Sequence, residues 1–156
     1  MKITNQPIKG GEDVKETLSP YSAIVDFYTA FNTQNYQLME KNWLHTSEAS
    51  MSNPLGGVKR GWHEINEVYK KIFSNQANVY VEFYDYTIHS TDFMFLTVGR
   101  ERGSLTVENK QIELAIRTTR IYIKNESAWK QIHHHGSIEN PKLLSRYQTT
   151  LLEKSQ

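Results

Sequence analysis

The sequence predicts an α+β domain: three N-terminal helices packed on a curved antiparallel sheet, with an extra C-terminal helix. Three observations predict it. Apolar residues recur at helical spacing through the first half of the 156-residue chain. After Asn75 the period becomes that of extended chain. Four β-rich runs then succeed one another across short polar turns. Helices first and strands afterwards place the helices on one face of the sheet. A strongly twisted sheet of this kind curls around what it covers, so a cone-shaped half-barrel is expected, with a cavity suited to a ligand.

Residues 1–18 carry Gly10-Gly11 and alternating charges with no apolar period, the pattern of a flexible arm. Ser19 is an N-cap and Pro20 suits the first helical position. Ile24, Phe27, Tyr28 and Phe31 then give an apolar, aromatic helix face that stops at Asn32. A second helix is expected over 36–43, capped by Asn35, with Leu38, Met39 and Trp43 turned inward. The stretch 45–60 reads as loop, with turn chemistry at Asn53-Pro54-Leu55-Gly56-Gly57. Ile65, Val68, Tyr69, Ile72 and Phe73 share one face of a third helix over 62–73. Strands follow over 79–90, 93–105, 111–124 and 128–138 as an antiparallel meander. A last helix over 141–152 carries Leu143, Leu144, Tyr147 and Leu151 on one side. The domain proper is thus 19–138, flanked by the arm and by a C-terminal helical segment, 139–156.

Composition narrows the function classes. Lys and Arg number 18 against 17 Asp and Glu, and no basic stripe is present, so no nucleic-acid partner is expected. The absence of cysteine excludes disulfides, thiolate nucleophiles and cysteine–zinc sites. No 18-residue apolar run and no apolar signal region occur, so neither a membrane partner nor export is expected, and the location expected is cytoplasmic. No glycine-rich phosphate loop occurs and no cofactor is expected.

Three groups of residues bear chemistry. The run from Trp129 to Ser137 contains His133-His134-His135. On a regular strand His133 and His135 share a face, roughly 6.5–7 Å apart, and His134 points away. Such a pair acts as donor and acceptor over a ligand, or sits in a partly exposed sheet or a subunit interface. No HExxH motif or cysteine completes a metal site, so no metal is expected. Arg100, Arg102, Arg117 and Arg120 lie in apolar strands, where arginine needs an anionic ligand or a carboxylate such as Glu82, Glu101 or Glu113. Arg117 and Arg120 differ in parity and so face opposite ways. Asp26, Asp85 and Asp92 are the acids near the elements, and none stands out as a buried base.

These residues resemble a known superfamily. Three helices and a meander ending in Trp129-Lys130-Gln131-Ile132-His133-His134-His135-Gly136-Ser137 are similar to nuclear-transport-factor-2-like proteins, in particular the SnoaL-like branch. Thr119-Arg120-Ile121-Tyr122 followed by Trp129 and His133-x-His135-x-Ser137 also resembles the association domain of calcium/calmodulin-dependent protein kinase II. The resemblance covers about residues 19–138. It implies a pocket with strand arginines. Arg120 matches one through its Thr-Arg context, and Arg100 matches another by its position eight residues after Asp92. His133 and His135 match the final-strand histidines. The isomerase branch's catalytic aspartate has no counterpart, and Arg117 replaces an acidic position of the association domain.

The expectation is therefore a cavity for an anionic or oxygenated organic molecule. Arg120 and Arg100 donate to its oxygens, His133 and His135 orient it or shuttle a proton, and Tyr28, Trp43 and Tyr69 form the apolar wall. Proton transfer beside a carbonyl, an isomerisation or dehydration, is the chemistry such a site hosts without a cofactor. The alternative is a noncatalytic binding or oligomeric assembly module. Either way the open sheet face is the expected homodimer interface, with 79–83 and Tyr122 contributing.

Overall fold

Helix α1 (Pro20–Asn32) begins where Ser19 can cap it: the Ser19 Oγ accepts the backbone N–H of Ser22 at 3.1 Å, and Pro20 takes the first position. These features come from a computed structural model that describes residues 6–74 and 77–152. Asn35 caps α2 (Tyr36–Asn42) in the same way, its Oδ1 accepting from the Leu38 N–H at 3.0 Å. α3 spans Gly61–Ser74, and α4 spans Pro141–Leu152. Within the loop expected over 45–60 lie two short strands, β1 (Ser50–Ser52) and β2 (Lys59–Arg60). The meander follows as β3 (Ala77–Ser90), β4 (Met94–Val107), β5 (Lys110–Asn125) and β6 (Ala128–Ser137).

The six strands lie in the order β2-β1-β6-β5-β4-β3. β1 runs parallel to β6, with Ser50 beside His133 and Met51 beside His134, whereas β3 to β6 pair antiparallel. The sheet is therefore mixed and open, a correction to the all-antiparallel expectation. Strands of 3 and 2 residues carry no period of their own; pairing with β6 makes them strands.

Two bulges shape the sheet. In β3 the register against β4 shifts between Tyr84 and Thr87, where Asp85 has φ 48°. In β6 the partner of Tyr122 is Gln131 but that of Ile121 is His133, so Ile132 is an extra residue. Each bulge adds twist and reverses the facing of everything beyond it. The helices cover the concave face, where Phe83, Phe95, Leu105, Leu114 and Tyr122 are buried against Ile24, Phe27 and Tyr28 of α1.

The segment expected as a flexible arm is, in its described part, a strap. Ile8 is fully buried and exchanges backbone hydrogen bonds of 2.8 and 2.9 Å with Phe83. Asn32 Nδ2 donates to the Lys9 and Val81 carbonyls at 2.8 and 2.7 Å, and the Gly11 N–H to Thr29 Oγ1 at 2.8 Å. Gly10 has φ +89°, and a Cβ there would lie 2.5 Å from the Thr29 nitrogen, so only glycine lets the strap lie flat on α1. Residues 1–5 of the arm and 153–156 of the C-terminal segment lie outside the described residues. Among the described residues no helix is long and apolar enough to cross a membrane.

Candidate functional site

Arg120 enters the interior from the middle of β5 and is 2% exposed. A guanidinium so buried must be matched group by group. Its Nη2 donates to Glu101 Oε1 at 3.0 Å and its Nη1 to Gln131 Oε1 at 2.9 Å. Its Cζ also lies 3.5 Å from the centre of the Phe27 ring. Tyr28 Oη donates to the same Glu101 oxygen at 2.6 Å. Gln131 Nε2 then donates to Asn42 Oδ1 at 3.3 Å, which also accepts from Tyr122 Oη at 3.0 Å. Burial opposes the charge on Arg120, yet Tyr28, Glu101, Tyr69 and Tyr122 outweigh it and raise its pKa. The cation is permanent and its counter-ion is built in.

His134 stands opposite Arg120 on the neighbouring strand and faces the same interior. Strand alternation from Trp129 puts His134 outside; the extra residue Ile132 turns it in. The residue is 9% exposed, and both ring nitrogens are buried with no hydrogen-bond partner among the described residues. Burial, and then the nearby Arg120 charge, hold its pKa well below 6.5, so the imidazole is neutral at pH 7. Gly136 leaves it room: a Cβ there would lie 3.2 Å from His134 Nε2.

Glu101, Arg120 and His134 line one cavity of about 60 Å³, together with Asn53, Tyr69 and Tyr147. The rest of the lining is apolar, from Phe27, Phe31 and Met51 to Leu114 and Ile116. Burial raises the pKa of Tyr69 to about 12, and burial with Glu101 does the same for Tyr147, so both stay hydroxyl donors at neutral pH. With Glu101 cancelling Arg120 and His134 neutral, the lining carries no net charge.

The expected site residues divide between two places. Arg120 and Tyr69 line the cavity. Tyr28 and Trp43 sit one layer behind it: Tyr28 holds Glu101, and the Trp43 ring lies 6.2 Å from that of Tyr69. His133, His135 and Arg100 lie on the convex face of the sheet, away from this cavity; there Arg100 and His135 line an open depression of about 420 Å³ with Arg117 and Ser137. Ser50 Oγ and His133 Nδ1 are hydrogen-bonded at 2.8 Å, and burial, then His135, lower the His133 pKa. Arg100 pairs with Asp85 at 3.2 Å and stands directly beside Arg117 in the β4–β5 register. Parity fixes Arg100 outside, since Phe95, Thr97 and Glu101 turn inward from the same strand. Among the described residues no three His, Asp or Glu side chains converge on a metal position.

The site residues missed in sequence are His134, Glu101 in its lining role, and Tyr147. Glu101 does leave a signal: it shares the parity of Phe95 and Leu105, a carboxylate on the apolar face of its strand. The bulge that turns His134 inward leaves none.

Comparison with known proteins bears on the fold and the family. A family model described as a SnoaL-like domain matches residues 21–141. No curated protein sequence matches the chain significantly. Among solved structures, a candidate dehydratase of the NTF2-like family from Streptomyces avermitilis superposes with a TM-score of 0.69 at 18% identity, covering 76% of this chain and 93% of that one. A candidate calcium/calmodulin-dependent protein kinase type II association domain from Thiobacillus denitrificans gives 0.65 at 19%, covering 79% and 97%. A candidate ketosteroid isomerase from Shewanella frigidimarina gives 0.61 at 17%, covering 74% and 91%. At these identities the likeness is one of fold.

Proposed function

The chain belongs to the SnoaL-like domain family, and from that premise we propose that its cavity binds an uncharged, oxygenated group of a small organic molecule and moves a proton on it through His134. One observation carries the reading: a neutral, nine-tenths-buried imidazole with both nitrogens unpartnered faces a cavity. A buried polar group without a partner is destabilising, so a ligand oxygen or an acidic C–H that engages it is favoured. The built-in Glu101–Arg120 pair argues for an uncharged group at His134 over an anionic one, because a further charge in that buried lining would be unmatched.

The chemistry this arrangement suits is proton transfer beside a carbonyl. His134 takes the proton from the adjacent carbon and becomes imidazolium, and the electron pair moves onto the carbonyl oxygen. Tyr69 or Tyr147 donates to that oxygen as charge develops. The imidazolium then returns its proton to another carbon, completing an isomerisation, or to a departing hydroxyl, which leaves as water. Tyr28, Gln131 and Asn42 are positioning residues that keep the ion pair in place. That similar folds occur in a candidate dehydratase and a candidate ketosteroid isomerase supports this class of chemistry.

The test is a thermal-shift screen of small ketones and hydroxyketones beside small carboxylates, followed by deuterium exchange of each bound ketone in D2O. A ligand at 100 times its Kd stabilises by about 2.7 kcal/mol. Ketones shift the melting curve and exchange deuterium beside the carbonyl; His134→Asn abolishes exchange, and His133→Asn leaves it intact. Exchange that survives His134→Asn, or a response to carboxylates alone, contradicts the reading.

A second role is favoured by the convex sheet face. Met94 and Val98 are exposed there at 43% and 45%, and Arg100 and Arg117 stand side by side. A second copy of the chain covering this face would bury the apolar pair, so a homodimer through the sheet is compatible with ligand binding on the other side. Of 79–83 and Tyr122, expected at that interface, Val79, Val81, Phe83 and Tyr122 are buried, while Tyr80 is exposed at 40%.

A further inference from the structure

We propose that α4 turns the cavity into a two-chamber site for a linear amphiphile, whose uncharged oxygenated head lies at His134 and whose far end is an anion held by Lys59 and Lys71. The inference rests on the reading of the inner cavity given above and adds the class of molecule that fills it. α4 (Pro141–Leu152) lies almost wholly beyond the residues 21–141 that the family model matches.

Size makes the first argument. The inner cavity, at about 60 Å³, has room for a few water-sized groups, far less than most organic ligands need. A second cavity of about 250 Å³ adjoins it, and Tyr147, Asn53, Val68 and Ile72 line both. Tyr147 of α4 thus forms part of the wall where the chambers meet. Gln148, the next residue of α4, donates from Nε2 to the Pro54 carbonyl at 2.9 Å and ties the helix to the turn on the other side. A ligand with its head at His134 and a body larger than the inner cavity extends along this shared wall into the outer chamber.

Chemistry makes the second argument. The outer walls are apolar at Leu55, Val68, Ile72 and Leu151, which suits a hydrocarbon chain. Its charged residues are Lys59, Lys71 and Glu67, and Glu67 is already engaged by Lys70 at 3.1 Å. Neither Lys59 nor Lys71 has an ion pair among the described residues. Two free ammonium groups at the rim of an apolar chamber, with an uncharged chamber beyond, match a chain that is polar but neutral at one end and anionic at the other.

The test is calorimetric titration, at low salt, of 2-octanone and 7-oxooctanoate, which share chain length and ketone position and differ in the terminal carboxylate. The oxo-acid binds about tenfold tighter than the ketone, the scale of two partly exposed ion pairs. In Lys59→Glu/Lys71→Glu that advantage falls below about twofold, while 2-octanone binds as before; both lysines are exposed, so the fold is kept. Raising the salt shrinks the advantage in the native protein. Equal binding of the two compounds, or an advantage that survives the double reversal, overturns this proposal and leaves the inner site standing. Binding of neither compound overturns both.

Discussion

At the scale of single residues, the most consequential pair is Glu101 and Arg120. Both are at most 5% exposed, 3.0 Å apart, and each is held by a further hydrogen bond, so each neutralises a charge the interior would otherwise reject. Glu101→Leu strands a buried guanidinium and should destabilise the fold by about 3–5 kcal/mol in urea unfolding, and adding Arg120→Met should recover most of that. A second prediction concerns pH. His134 takes up a proton near pH 6.5 when unfolded but only at much lower pH when folded, so below 6.5 the unfolded state binds more protons. Stability therefore falls as pH drops below 6.5. The gap between the native protein and His134→Asn should change by up to about 1.4 kcal/mol per pH unit in that window and stay flat above it. Arg120 was legible in sequence as a buried cation in need of a partner, because strand parity separates it from Arg117. His134 was not: its inward facing depends on one extra residue in a neighbouring register.

At the scale of elements, the helices and the four long strands were legible because each carries its own signal. Ser19-Pro20 and Asn35 mark helix starts, and the polar turns between strands mark reversals. What escaped was whatever depends on a distant partner: β1 and β2, the bulges at Asp85 and Ile132, and the strap through Ile8. The strap makes a prediction of its own. Gly10→Ala places a Cβ against the α1 backbone at a positive φ, so it should cost about 1–3 kcal/mol and raise amide exchange of Ile8 and Phe83, each of whose N–H groups donates to the other's carbonyl. Unchanged exchange at both amides would show that the strap does not depend on that contact.

At the scale of the whole molecule, the two faces of the sheet differ in character. The concave face holds the Glu101–Arg120 pair and His134; the convex face presents Met94, Val98 and the arginines. Sedimentation velocity should find a dimer that Val98→Glu dissociates without loss of the monomer's fold, and a native monomer at all concentrations would remove the interface. The central claim, that the interior histidine rather than the outer two meets the ligand, is tested most directly by NMR of protein with isotope-labelled histidine rings, titrated with the best ketone from the screen. The account predicts that the His134 ring signals move on binding and stay those of a neutral imidazole at pH 6.5, while His133 and His135 do not respond. Ligand-induced shifts at His133 or His135 with His134 unmoved would contradict it.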